Sequence, residues 1–144
     1  MNVIKQEEGY GVNITATRRE FLEMYKVLHE TRGEKGVKYA MIVLKNCEVI
    51  KKELDALEAK AAPSEEFMEL SRKAQEFMQA ENEDGLKAME AENMELIDAR
   101  KQQIAEVNIE LDKEVTLELK MINEKLLPEG LSAEQIETLI KIIN

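Results

Sequence analysis

The chain has 144 residues, a net charge of −10 and 35% charged residues, which together predict one domain with a modest core. An acidic balance of this size disfavours nucleic-acid binding, because contacts to phosphates require a basic surface. A single cysteine, Cys47, excludes an intrachain disulfide, and no apolar run approaches the length of a membrane span. We therefore expect a soluble cytoplasmic protein that binds neither membrane nor nucleic acid.

The first predicted elements are a short strand and a helix. Apolar and polar residues alternate over residues 10–15, a pattern typical of a strand. Thr17 and Glu20 then have the spacing of a capping box, in which each side chain accepts a hydrogen bond from the other residue's backbone N–H. This spacing predicts a helix over residues 17–33.

The second predicted helix covers residues 36–60. Its first half, residues 37–44, is apolar nearly all round, so we expect it to be the most deeply buried helical segment. Its second half keeps a narrower apolar stripe among charged residues. A short connection containing glycine favours antiparallel packing of the first two helices.

A long helical segment with an acidic surface is predicted for the middle of the chain. Ser64 is the expected N-cap of a helix over residues 64–104, with a break near residues 81–85. Residues 65–98 carry eleven acidic and three basic side chains, a net charge of −8. Residues 48–104 together predict a long antiparallel helical hairpin.

Residues 106–122 are predicted to form strand. Seven apolar residues from Val107 to Met121 are odd-numbered, so in a strand they would all lie on one face. Two arrangements keep that face apolar: a hairpin with a three-residue turn at residues 112–114, or one long strand beside residues 10–14. Both arrangements give a small sheet of two or three strands.

The last predicted element is a helix over residues 132–143. Ser132 and Gln135 have capping-box spacing, and the apolar face of this helix must dock on the domain or on another subunit. The whole chain, residues 1–144, therefore predicts a single α+β domain that is mainly α. Its predicted parts are the long helical hairpin, the small sheet and the C-terminal helix.

No motif for catalysis or metal binding is present in the sequence. One histidine and one cysteine cannot supply paired metal ligands, and no glycine-rich phosphate loop occurs. We therefore expect no catalytic residue, no metal site and no cofactor, and we expect that the protein is not an enzyme.

One basic cluster near the start of the second predicted helix is a candidate ligand site. A helix N-terminus with nearby lysines and an aromatic ring can bind a phosphate or nucleotide. The alternative is that the lysines are solvated and the tyrosine belongs to the core. The candidate ligand-binding residues are Lys35, Lys38, Tyr39, Lys45 and Asn46.

Four segments of the sequence occur in a characteristic order. They are VNITATRREFLEMYKVL, GVKYAMIVLKN, EVTLELKMI and LPEGLSAEQIETLIKII. With these segments the chain resembles a family of small, mostly uncharacterised tailed-phage proteins. The resemblance covers most of the chain and implies a mixed helical domain with a small sheet. It brings no catalytic residue that could be transferred to this sequence.

The resemblance implies a phage protein that works in the cytoplasm of the host cell. We expect a non-enzymatic binding protein that forms a homo-oligomer. Its expected role is counter-defence, by sequestering a small anionic nucleotide signal or by blocking a host defence protein. The alternative is a structural, assembly or accessory phage protein that acts through helical interfaces.

Overall fold

The structure, a computed structural model, describes residues 10–33 and 36–144. Its fold class is the predicted one, α+β and mainly α, with 71% of the structure helical and one small antiparallel sheet. The elements of the described residues, in chain order, are β1 (Gly11–Thr17), α1 (Arg18–Glu30), α2 (Val37–Ala61), α3 (Glu65–Gln79), α4 (Glu83–Glu92), α5 (Met94–Leu111), β2 (Glu114–Lys120) and α6 (Ala133–Leu139).

The residue contacts group the chain into two compact units. The first unit contains the described residues up to Ala56 together with Leu111–Asn144, and the second contains Leu57–Glu110. The sheet, α1, most of α2 and α6 belong to the first unit. The second unit is made by α3, α4 and α5 with the end of α2. That the whole chain folds as a single domain stays a prediction.

The sheet of the first unit pairs β1 with β2 in antiparallel register. Ile14 lies opposite Leu117, Val12 opposite Leu119 and Ala16 opposite Val115, so even-numbered residues of β1 share the core face with odd-numbered residues of β2. On the other face the Thr15 and Thr116 hydroxyls are hydrogen-bonded at 2.7 Å. Pairing between the segment at residues 10–14 and the second part of residues 106–122 is thus confirmed.

The prediction of strand over residues 106–122 is wrong for its first part. Helix α5 continues to Leu111, and β2 begins only at Glu114, so neither the hairpin nor the single long strand forms. Strand β1 offers seven residues for pairing, and β2 uses all of them. Residues 106–111 therefore have no strand partner among the described residues and extend the preceding helix, which leaves Ile109 61% exposed.

A capping box begins α1, and an ion pair joins the start of this helix to the turn that precedes β2. Thr17 Oγ1 accepts from the Glu20 backbone N–H and Glu20 Oε1 accepts from the Thr17 N–H, both at 3.1 Å, which confirms the predicted capping box. The Thr17 backbone hydrogen bond, together with Lys141, lowers the pKa of Glu20. Arg19 Nε lies 2.9 Å from Asp112 Oδ1. Helix α1 ends at Glu30, three residues before the predicted end.

The C-terminal segment docks on the first unit. The predicted capping box of Ser132 and Gln135 is present at the start of α6, which confirms it. Leu139 and Ile142 are fully buried in the core. After β2, the Ile122 N–H donates to the Ile142 carbonyl at 2.7 Å, and the Asn144 N–H donates to the Ile122 carbonyl at 2.8 Å. The end of the chain is thus hydrogen-bonded to the segment that extends β2.

The core of the first unit lies between the sheet and helices α1, α2 and α6. Its buried side chains come from every one of these elements, so each element depends on the others for burial. The core residues are Ile14, Ala16, Phe21, Met24, Val27, Leu28, Tyr39, Ile42, Val43, Ile50, Leu119, Ile122, Leu139 and Ile142.

The second unit has two helix breaks where the sequence predicts one. Ser64 caps α3 as predicted, accepting from the Phe67 N–H at 3.1 Å. After α3 the Asn82 N–H donates to the Phe77 carbonyl at 2.9 Å and the Glu81 N–H to the Met78 carbonyl at 3.1 Å, which is a Schellman motif. This motif is the predicted break, and a second break occurs at Asn93, between α4 and α5.

Side chains of α5 donate hydrogen bonds to backbone carbonyls at the C-terminal end of α2. Arg100 donates to the Ala61 carbonyl at 2.7 Å, and the Gln103 side chain donates to the carbonyls of Lys60 and Ala62. These carbonyls belong to the last helical turn and the residue after it, where no further helical N–H is available. The Arg100 guanidinium also lies 5.7 Å from the centre of the Phe67 ring, a cation–π distance.

Glu81 offers a test of the Schellman motif, because its φ of 56° is in the left-handed region. Replacing Glu81 by Gly removes the steric cost of that conformation, and we expect a gain of about 0.5–1 kcal/mol in the free energy of unfolding. Urea denaturation followed by circular dichroism measures the change. The control is Glu90→Gly inside α4, which removes the same charge and should cost about 1 kcal/mol. Equal losses for both variants would contradict the assignment.

Candidate interaction surface

The structure separates the five candidate ligand residues. Lys38 and Lys45 are exposed on α2, whereas Tyr39 and Asn46 are each only 1% exposed. Lys35 lies outside the described residues. The structure therefore brings two of the five side chains to one accessible surface and directs two others into the core.

Tyr39 is a core residue whose hydroxyl is satisfied inside the protein. The hydroxyl shares a hydrogen bond of 2.8 Å with Thr31 Oγ1, and Thr31 Oγ1 donates to the Val27 carbonyl at 2.8 Å. This chain of hydrogen bonds ties the start of α2 to the end of α1. The ring of Tyr39 is consequently not available to stack on a ligand.

Asn46 is bound to the backbone of β2. Its Nδ2 donates to the Lys120 carbonyl at 2.9 Å, and its Oδ1 accepts from the Lys120 N–H at 2.7 Å. The side-chain amide thus pairs with the N–H and the carbonyl of Lys120, as the backbone of a neighbouring strand would. Asn46 has a structural role in α2 and is not available to a ligand.

An exposed apolar stripe lies on the side of α2 opposite these buried residues. Val37 is 75% exposed, Met41 52% and Leu44 62%, and their spacing of four and three residues places them on one helical face. Successive helical residues are about 100° apart, so this face is turned away from Tyr39 and Asn46. We call Val37, Met41 and Leu44 the α2 stripe.

The expectation that residues 37–44 are the most deeply buried helical segment is therefore wrong. Only one side of this segment enters the core, through Tyr39, Ile42 and Val43. The continuous apolar run gave no signal of which side faces solvent, because apolar residues occupy both sides. Lys38 and Lys45 are the only charged residues within 36–46, and they flank the α2 stripe on one side.

Two further features of the described residues bear on chemistry, the thiol of Cys47 and the grouping of possible metal ligands. Cys47 is half-buried, and burial raises the pKa of its thiol to about 11 in spite of the nearby Arg32 charge, so the thiol is protonated at neutral pH. Among the described residues, no group of His, Cys, Asp or Glu could hold a metal ion. No described helix is long and apolar enough to cross a membrane.

Comparison of the chain with models of known protein families, with curated proteins and with solved structures found no match.

The role of Asn46 can be tested by removing its amide. We expect Asn46→Ala to lower the free energy of unfolding by about 2 kcal/mol, because it deletes two hydrogen bonds and leaves the Lys120 backbone groups unpaired beside α2. Chemical denaturation measures this loss. The control Lys45→Ala removes an exposed side chain next to Asn46 and should change stability by less than about 0.5 kcal/mol. A neutral Asn46→Ala variant would refute the structural role.

Proposed function

We propose that this chain is a non-enzymatic binding protein and that the α2 stripe is its main contact surface. The observation that carries the proposal is that Val37, Met41 and Leu44 are at least half exposed on one helical face. Contiguous exposed apolar residues with a charged margin are typical of protein interaction sites. Fold stability gives no reason for apolar residues on the side of α2 that faces away from the core.

The charges beside the stripe define the chemistry of the partner. Lys38 and Lys45 are exposed beside the stripe, and one acidic residue, the exposed Glu48, follows it on the same helical face. A complementary partner surface therefore presents an apolar groove with acidic side chains on its rim. This description favours a protein partner, because a nucleotide would leave the apolar side chains of the stripe exposed.

The resemblance to tailed-phage proteins supports a phage setting for this binding. In that setting, we propose counter-defence by blocking a host defence protein. The second candidate is assembly or accessory work on phage components, which the same exposed helical stripe also favours. Sequestration of a nucleotide signal has less support, because two of its five candidate residues are buried and hydrogen-bonded within the protein.

A pair of matched variants tests the stripe. Leu44→Glu and Ile109→Glu place the same charge at positions that are 62% and 61% exposed, so both should alter stability by less than about 0.5 kcal/mol. We expect Leu44→Glu to weaken partner capture from infected cells at least about tenfold, because it brings a charge into an apolar contact. Ile109→Glu should capture the partner as the unmodified chain does.

The identity of the captured proteins separates the two settings. If the unmodified chain captures a host defence protein and Leu44→Glu does not, the result supports blocking of host defence. If the proteins that Leu44→Glu fails to capture are virion components, the result supports assembly. Equal capture by the two variants would overturn the proposed role of the stripe.

The nucleotide alternative has its own test. A thermal-shift screen of the unmodified chain against cyclic nucleotides and ADP-ribose derivatives should give no stabilisation at saturating ligand, since any ligand that binds only the folded state raises the melting temperature. A shift that disappears in a Lys38→Ala, Lys45→Ala variant would restore the nucleotide hypothesis and contradict the preference for a protein partner.

A further inference from the structure

An acidic groove lies within the second unit, between α3, α4 and α5. Its apolar floor contains Leu70 and Met89, which are 8% and 9% exposed, with Phe77 and Leu96 half-buried beside them. The carboxylates that surround this floor outnumber the single basic residue, Lys73. We call this feature the acidic groove, and its rim carboxylates are Glu65, Glu66, Glu69 and Glu92.

The groove has this shape because α4 begins very close to α3. A Cβ atom on Gly85 would lie 2.7 Å from Phe77 Cε1 and 2.7 Å from Asn82 Nδ2, which is closer than carbon atoms can approach. The Gly85 N–H meanwhile donates to the capping oxygen of Asn82 at 2.9 Å. The absence of a side chain at residue 85 therefore lets the first turn of α4 close one end of the groove.

The acidic groove and the α2 stripe are complementary in size and charge. The stripe from Val37 to Leu44 is about 10 Å long, and the groove between Glu66 and Phe77 runs for about 16 Å along α3, at 1.5 Å per helical residue. The stripe has two lysines beside it and one acidic residue, the exposed Glu48, after its C-terminal end, whereas the segment 65–98 that contains the groove has a net charge of −8. Opposite charges of this kind favour and orient an association.

We propose that the chain binds a second copy of itself, with the α2 stripe of one copy in the acidic groove of the other. This inference rests on the proposed function, because the same stripe makes the contact. Pairing two α2 stripes is the other way to cover them with a second copy. In that pairing the two lysines of each stripe meet only one acidic residue, Glu48, from the other copy, whereas the acidic groove offers four carboxylates and is therefore the better complement.

The proposed contact joins two different surfaces. A single such contact leaves a groove on one copy and a stripe on the other for a further contact. Contacts between two different surfaces produce a reciprocal dimer, a closed ring or an open filament, according to the rotation that relates the copies. A partner protein with an acidic groove of its own would compete with the second copy for the stripe.

Charge reversal on either surface tests the contact. The stripe variant is Lys38→Glu with Lys45→Glu, and the groove variant is Glu66→Lys with Glu92→Lys. Sedimentation velocity and light scattering, over about 10 μM to about 1 mM, cover the range of affinities of small transient interfaces. We expect the unmodified chain to self-associate and each variant alone to associate about 100-fold more weakly, because each places like charges in contact.

An equimolar mixture of the two variants is the decisive measurement. The groove variant retains an unmodified stripe and the stripe variant retains an unmodified groove, so the mixture contains one intact contact and should recover association. The controls shift the net charge equally at exposed positions outside both surfaces. They are Lys26→Glu with Lys101→Glu, and Glu90→Lys with Glu95→Lys, and both should associate as the unmodified chain does.

Different outcomes separate this inference from the proposed function. A monomeric unmodified chain at the highest concentration would overturn the second-copy proposal, while loss of partner capture by Leu44→Glu would still support the stripe as a binding surface. Association that both variants retain, or a mixture that does not recover association, would also overturn the second-copy proposal. Unchanged association and unchanged capture in the stripe variants would overturn both.

Discussion

The two hydrogen bonds between Asn46 and the backbone of Lys120 are the interaction on which the first unit depends. Strand β2 has one strand partner in the described part of the chain. Because the Met121 N–H donates to the Tyr10 carbonyl, the Lys120 backbone groups point to the opposite edge. Asn46 occupies that edge as a third strand would. The amide therefore provides hydrogen-bond partners for the Lys120 N–H and carbonyl at the edge of the sheet. It also fixes the rotation of α2 about its own axis.

That rotation determines which side chains of α2 reach solvent. With Asn46 on β2 and Tyr39 hydrogen-bonded to Thr31, the opposite face of the helix must point outward. The α2 stripe is therefore a consequence of how the core is fixed, and its exposure does not depend on a loop. A contact surface on a helix held in this way is presented to a partner with little loss of conformational freedom on binding.

Local signals in the sequence were sufficient for the features that depend on neighbouring residues. The caps at Thr17, Ser64 and Ser132 involve partners three residues away, so the sequence predicts them directly. The burial of Asn46 depends on a residue 74 positions away in the chain, and no local pattern indicates it.

Residues 106–111 have apolar residues at every second position, but whether such a segment forms a strand depends on a partner strand elsewhere in the fold. The acidic groove likewise requires the close approach of Gly85 to Phe77, which residue order alone does not predict.

The distribution of charge connects the two candidate surfaces. The rim carboxylates of the acidic groove surround Leu70 and Met89, which are buried by packing within the second unit. Lysines that are only solvated need no apolar neighbours, yet Lys38 and Lys45 flank three exposed apolar residues. Each surface combines an apolar centre with a charged margin, which is the general organisation of protein interfaces. Since the two margins have opposite sign, the proposed interface between copies would cover the exposed stripe and bring the two charged margins together in one contact.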